Sequence, residues 1–270
     1  IASENKIHRK QIRVLIGPSF AIWAPSFALD RSLSLALRLR GVDVIPIYCD
    51  SIQHVECNFI GGDWGNFSKN CNNCKKTSEK LWQSNPNKPI PFSRYISPAE
   101  IAQISSVVSG LTFDEVLTYQ KSGIAYGAMA KDIMVNNYLV ATPALVENHA
   151  YLLKVHLQNL LMVSLAYERI LDEQKPDRVV SNDSYYGMWA VLEQHCKARS
   201  IPYYSHWPVT KNRTAFAHND AAMNLDFTKS WNNFSKIDLT SEDDARINKW
   251  LGCERGLVID TTKLAGHEIN

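Results

Sequence analysis

The run PDRVVSND, followed by SYYGMWAVLEQHCKARS and then IPYYSHW, constrains the fold of this chain most. A short β-branched run enters after Pro176, an apolar-periodic segment of helical length follows, and a second extended run begins at Ile201. That pattern predicts a β-α-β unit. Strands joined through a helix run parallel, because a crossover is needed to bring the chain back to the same edge.

A second unit of the same kind opens the chain. IRVLIG, from Ile12 to Gly17, is an apolar run stopped by Gly-Pro. SFALDRSLSLALRLRG has helical spacing, basic residues in its last turn and Gly41 as a stop. VDVIPIYCD is the next strand. Two such units imply an α/β fold, a Rossmann-like parallel sheet flanked by helices. The turn after the first strand has one glycine and two prolines rather than G-x-G-x-x-G, which argues against a dinucleotide cradle there. Between the units, SPAEIAQISSVV starts behind Ser97 as a cap, and the longest helix runs from Pro143 towards Pro176.

Residues 51–98 differ in character. They are rich in Asn, Gly, Pro, Ser and Cys, and are expected to form a Cys-rich insertion on a domain spanning 1–235. Residues 236–270 are expected to form a linker helix and tail, with Thr240 and Asp243 as a capping-box pair. His54 and Cys57 form H-x-x-C, and Cys71 and Cys74 form C-x-x-C. With Cys49 in place of His54 as the alternative fourth ligand, this spacing suits a structural zinc, while free thiols in a polar loop are the competing expectation. With four protein ligands such a metal would not be catalytic.

In an open parallel sheet, ligands sit beyond the carboxyl ends of the strands. That rule selects Ser19 and Trp23 after the first strand, and Asn182, Asp183, Ser184 and Tyr186 after Ser181. SHWPVTKNRTAFAHND follows the next strand and brings His206 and Arg213 to the same crevice. His206 is the acid–base candidate, since imidazole titrates near neutrality, with Asp183 as the second. Within GIAYGAMAKD, Tyr126 is a further substrate-binding candidate, although the small residues there also suit close helix packing.

Net charge is +2, from 29 basic and 27 acidic residues. Nothing in that balance forms a footprint for nucleic acid. No apolar run reaches the roughly 18 residues that span a bilayer. Six cysteines in 270 residues are not a disulfide scaffold, and a reducing, cytoplasmic setting is expected.

The order of these features resembles the N-terminal half of GT-B glycosyltransferases, in particular bacterial sugar transferases of capsule and O-antigen polysaccharide biosynthesis. The residues that carry the resemblance are IPIYCD, the cysteine-bearing segment, GIAYGAMAKD with NNYL, the long helix, and KPDRVVSNDSYYGMWAVLEQHCKARSIPYY. The resemblance implies a Rossmann-like acceptor-side domain and a C-terminal donor-binding domain beyond this chain. It implies transfer of a sugar from a nucleotide-sugar to a glycan or lipid-linked acceptor, at the inner face of the membrane. The fragment alone would then be inactive. Two alternatives stand beside it: half of a sugar-nucleotide epimerase of the same fold, and a non-enzymatic binding or scaffold domain held by a zinc knuckle.

Overall fold

The computed structural model describes residues 11–19, 21, 24–53, 67–182, 187–210, 213–224 and 228–249. Two units separate along the chain, Ile1–Leu225 and Asp226–Asn270.

The first unit is built on a six-stranded sheet in the order β3-β2-β1-β4-β5-β6. The strands are β1 (Arg13–Ile16), β2 (Asp43–Tyr48), β3 (Ile90–Pro91), β4 (Arg178–Ser181), β5 (Tyr203–Thr210) and β6 (Arg213–His218). The first five pair in parallel and β6 joins β5 antiparallel, so the sheet is mixed. The expected α/β class is thus present, with one departure. SHWPVTKNRTAFAHND, expected to follow a strand end as a crevice segment, contributes to the β5–β6 hairpin instead.

Among the described residues, seven α-helices belong to this first unit: α1 (Ala24–Arg38), α2 (Phe67–Trp82), α3 (Pro98–Ser109), α4 (Phe113–Leu117), α5 (Tyr126–Tyr138), α6 (His149–Gln174) and α7 (Gly187–Ala198); α8 (Thr228–Phe234) lies in the second. Ser97 and Thr112 each close a capping box, with Glu100 and Glu115. Each hydroxyl accepts a backbone N–H while the glutamate accepts the cap's own N–H. Side chains alternate across the strands, and two cores follow from that alternation. Ile16 and Val44 pack with Phe27 of α1 and Trp82 of α2. Leu15, Ile45, Ile47, Val179 and Tyr203 face the larger core, where α6 contributes Leu157, Leu160 and Tyr167 among others. Burying a leucine-sized side chain contributes roughly 1.5–3 kcal/mol, so the larger cluster holds most of the fold's stability.

The described residues from 67 to 98 are more regular than their composition suggests. The CNNC motif lies inside α2. Cys74, Ser78 and Trp82 are buried one turn apart along one face, so this helix hides its stripe among Asn and Lys.

Gly127 shows how tightly α5 meets the α4 segment. A Cβ there would stand 2.1 Å from the carbonyl oxygen of Val116 and 2.5 Å from that of Leu117. Those are backbone atoms and cannot rotate away. Gly127→Ala is therefore expected to cost about 3 kcal/mol or more, at the upper end for overpacking. A thermal melt checks it, and an unchanged midpoint would contradict the packing described.

In the second unit, Thr240 and Asp243 exchange the capping hydrogen bonds expected of them, ahead of a helical stretch at 241–249. Among the described residues no helix is long and apolar enough to cross a membrane.

Candidate functional site

The sheet has a topological switch at its middle. The chain leaves β1 for β2 on one side and later returns through β4 on the other. At such a point the two outgoing connections diverge and leave a crevice at the carboxyl edge.

Gly17 begins that edge. Its φ of +109° is left-handed backbone, and a Cβ would lie 2.5 Å from the carbonyl oxygen of Ile47. Glycine is the residue that fits both conditions. Its N–H donates to the carbonyl of Val180 at 2.9 Å, which ties the turn to β4. The turn then delivers Ser19, which is buried.

The hydroxyl of Ser19 donates to Oδ2 of Asp30. Asp30 lies on the buried stripe of α1 with Phe27 and Ser34. Its other oxygen, Oδ1, accepts from Nε2 of His206 at 2.7 Å. His206 comes from β5, and its backbone N–H donates to the carbonyl of Asn182 at 3.2 Å. Three segments far apart in sequence thus meet in one hydrogen-bonded chain, Ser19–Asp30–His206. Asp30 and His206 are both 0% exposed.

The order of this chain decides its chemistry. A serine is activated as a nucleophile when a histidine takes its proton. Here the carboxylate stands between the two, so Ser19 and His206 are both oriented by Asp30 rather than by each other. Asp30 fixes the proton of His206 on Nε2, which leaves Nδ1 as the nitrogen open to another group. Nδ1 is buried and has no hydrogen-bond partner among the described residues. Leaving such a group unsatisfied costs about 1–3 kcal/mol, so the site holds a group poised for a partner.

Of the residues selected from sequence, the structure gathers Ser19, Asn182 and His206 at this edge. Tyr126 lies elsewhere: it starts α5 and bonds Ser164 of α6 at 2.6 Å. Trp23, Asp183, Ser184 and Tyr186 lie outside the described residues, as does the side chain of Arg213, whose backbone opens β6. Asp30 was missed. Its signal was a lone carboxylate on the apolar stripe of FALDRSLSLAL, where a buried charge demands partners.

Only part of the cysteine set lies among the described residues. His54 and Cys57 lie outside the described residues. Cys71 and Cys74 stand one turn apart on α2, where Cys74 is buried and Cys71 donates to the hydroxyl of Ser51 at 3.2 Å. Burial pushes the Cys49 thiol up to about 12. Among the described residues no group of three or more His, Cys, Asp or Glu side chains could hold a metal ion.

No family profile matches the chain, and no curated protein matches it. Among solved structures it is similar to a CDPS from Fluoribacter dumoffii, at 14% identity over 77% of this chain and 89% of that one, with a TM-score of 0.43. It is also similar to tyrosyl-tRNA synthetase complexed with L-tyrosine from Archaeoglobus fulgidus, at 11% identity over 72% of this chain and 51% of that one, with a TM-score of 0.37. These neighbours are a cyclodipeptide synthase and an aminoacyl-tRNA synthetase, not sugar transferases. They overturn the expected sugar-transferase function and its capsule and GT-B associations. At this level of likeness no activity passes from either to this chain.

Proposed function

We propose that this chain is an α/β enzyme that takes a small-molecule substrate at the carboxyl edge of its sheet, where β1 and β4 diverge. On this reading His206, oriented by Asp30, exchanges a proton with the substrate through Nδ1. Ser19 and Asn182 line the approach and supply hydrogen bonds.

One observation carries the reading: a buried histidine whose Nε2 is bound by a buried carboxylate and whose Nδ1 has no partner among the described residues. A purely structural histidine is normally satisfied at both nitrogens, because an unmet buried polar atom is destabilising. A histidine that must accept or release a proton needs one nitrogen held and the other available. The carboxylate plays the part of the orienting group in such a dyad.

The test is a ligand-observed NMR screen of a small-metabolite library at neutral pH, repeated with His206→Gln. Compounds that bind the wild type through this edge should lose about tenfold or more in affinity, the scale of one buried hydrogen bond to a polar partner. The far-UV circular dichroism of the variant should stay that of the wild type. Binders that keep their affinity in folded His206→Gln, or a library with no binder, would remove the proposal.

A further inference from the structure

A second cavity, of about 440 Å³, opens between α3, α5, α6 and α7. It stands apart from the edge just described. α7 starts just beyond the carboxyl end of β4 and runs back along the sheet, and His195 and Arg199 lie at the far end of that helix.

Much of the wall is apolar, with Gln103, Tyr119 and Ser122 also lining it. Leu161 and Leu165 of α6 face Ile104 of α3 and Ile124 ahead of α5. The floor is a hydrogen-bonded chain of three side chains. Oη of Tyr126 lies 2.6 Å from Oγ of Ser164, and Oγ of Ser164 lies 2.7 Å from Nε2 of His195. All three are buried and all three line the cavity.

The direction of this chain follows from Arg199. Its guanidinium can only donate, and it reaches Nδ1 of His195 at 3.3 Å. Nδ1 therefore offers its lone pair and the imidazole carries its hydrogen on Nε2. Burial, reinforced by the Arg199 charge, pulls the imidazolium down to about 4, so the ring is neutral at pH 7. His195 then donates to Ser164. The three groups hold three hydrogens, one N–H and two O–H, but only two links join them. One hydroxyl hydrogen is left over, on Ser164 or on Tyr126, next to the cavity.

The charges at the rim cancel. Glu100 is paired with Arg169, and Arg199 with Asp172 at 2.9 Å. Lys121 and Glu168 remain, one of each sign. The lining carries two charges of each sign, so it presents no net field to an ionic ligand, which would lose hydration on entry.

We propose that this cavity binds a neutral small molecule through one hydrogen-bond acceptor, such as a carbonyl, which takes the leftover hydroxyl hydrogen of the Tyr126–Ser164 pair. The volume lies within the usual range for small-molecule sites, roughly 300–1,000 Å³. Largely apolar walls above a buried hydroxyl donor suit a ligand of that kind.

The experiment uses three matched probes on the whole chain: acetophenone, ethylbenzene and benzoate. Binding is followed by ¹H–¹³C NMR of the methyl groups of Ile104, Ile124, Leu161 and Leu165. Acetophenone should shift these methyls and bind about tenfold tighter than ethylbenzene, which lacks the acceptor, and tighter than benzoate, which carries a charge. The double variant Tyr126→Phe/Ser164→Ala should bring acetophenone to the level of ethylbenzene. Val107→Trp, at an exposed position on the cavity lining, should weaken both neutral probes without touching the floor. Equal binding of acetophenone and ethylbenzene to the wild type, tighter binding of benzoate, or no shift at these methyls would overturn the proposal, whether or not either variant folds.

Discussion

Lowering the pH from 6.5 to 4 is expected to destabilise the folded chain by roughly 3 kcal/mol for each of His156 and His195. His156 is fully buried, and burial alone depresses it to about 3. His195 falls to about 4, through burial and then the Arg199 charge. In the unfolded chain both return to the ordinary value of 6.5. The unfolded state therefore binds more protons throughout the window from 6.5 down to 4, and stability must rise with pH there. Above 6.5 both states are neutral and the contribution is complete. Acid draws the equilibrium toward the state that can take the protons. Glu100 adds to the slope only at the acid end of this window, because its carboxyl takes a proton near 4.5 in the unfolded chain while hydrogen bonds from Arg169 and Ser97 hold it to about 2 in the fold. Urea melts at several pH values between 7.5 and 4 measure the effect, and His195→Gln should flatten part of the slope. A stability independent of pH over that range would mean that these imidazoles are not buried and neutral.

Asp30→Ala is the substitution with the largest expected effect at the candidate site. It deletes the acceptor for two buried donors at once, the Ser19 hydroxyl and the His206 N–H. Each stranded donor costs about 1–3 kcal/mol, so a loss of roughly 3–5 kcal/mol is expected with the small cavity added. Asp30→Asn should do less harm to Ser19, because the amide oxygen still accepts. It should still disturb His206, since an amide N–H turned toward Nε2 forces the imidazole proton to Nδ1. Denaturant melts of both variants check this order. A loss below about 1 kcal/mol for Asp30→Ala would place it among ordinary surface substitutions and contradict the burial described.

Much of this architecture was legible. Val14–Ile16 and Val179–Val180 are short apolar runs between turn signals, so the parallel strands and the carboxyl-edge rule followed directly. Ser19, Asn182 and His206 were reachable by that rule. Two things were hidden. The helix holding Cys71 and Cys74 buries only a narrow stripe, Cys74, Ser78 and Trp82, and its Asn-rich surface reads as loop. Asp30 stands on the apolar stripe of α1, but which groups it pairs with is set only when β5 is placed beside α1, because its partner is 176 residues away. The resemblance to sugar transferases rested on element order, which many α/β enzymes share, and fold order does not carry function. The Tyr126–Ser164–His195 chain joins three helices and leaves no local pattern in the sequence.

The central claim is that Asp30 holds the proton of His206 on Nε2 and leaves Nδ1 for a substrate. Long-range ¹H–¹⁵N correlation of the histidine rings tests it most directly, with the His206 signals identified by their absence in His206→Gln. A protonated Nε2 that becomes an unprotonated one in Asp30→Asn, together with an Nδ1 resonance that moves when a bound compound is added, is the result expected. A His206 protonated on Nδ1 alone in the wild type, or an Nδ1 resonance unmoved by every compound that binds at the sheet edge, would contradict the account.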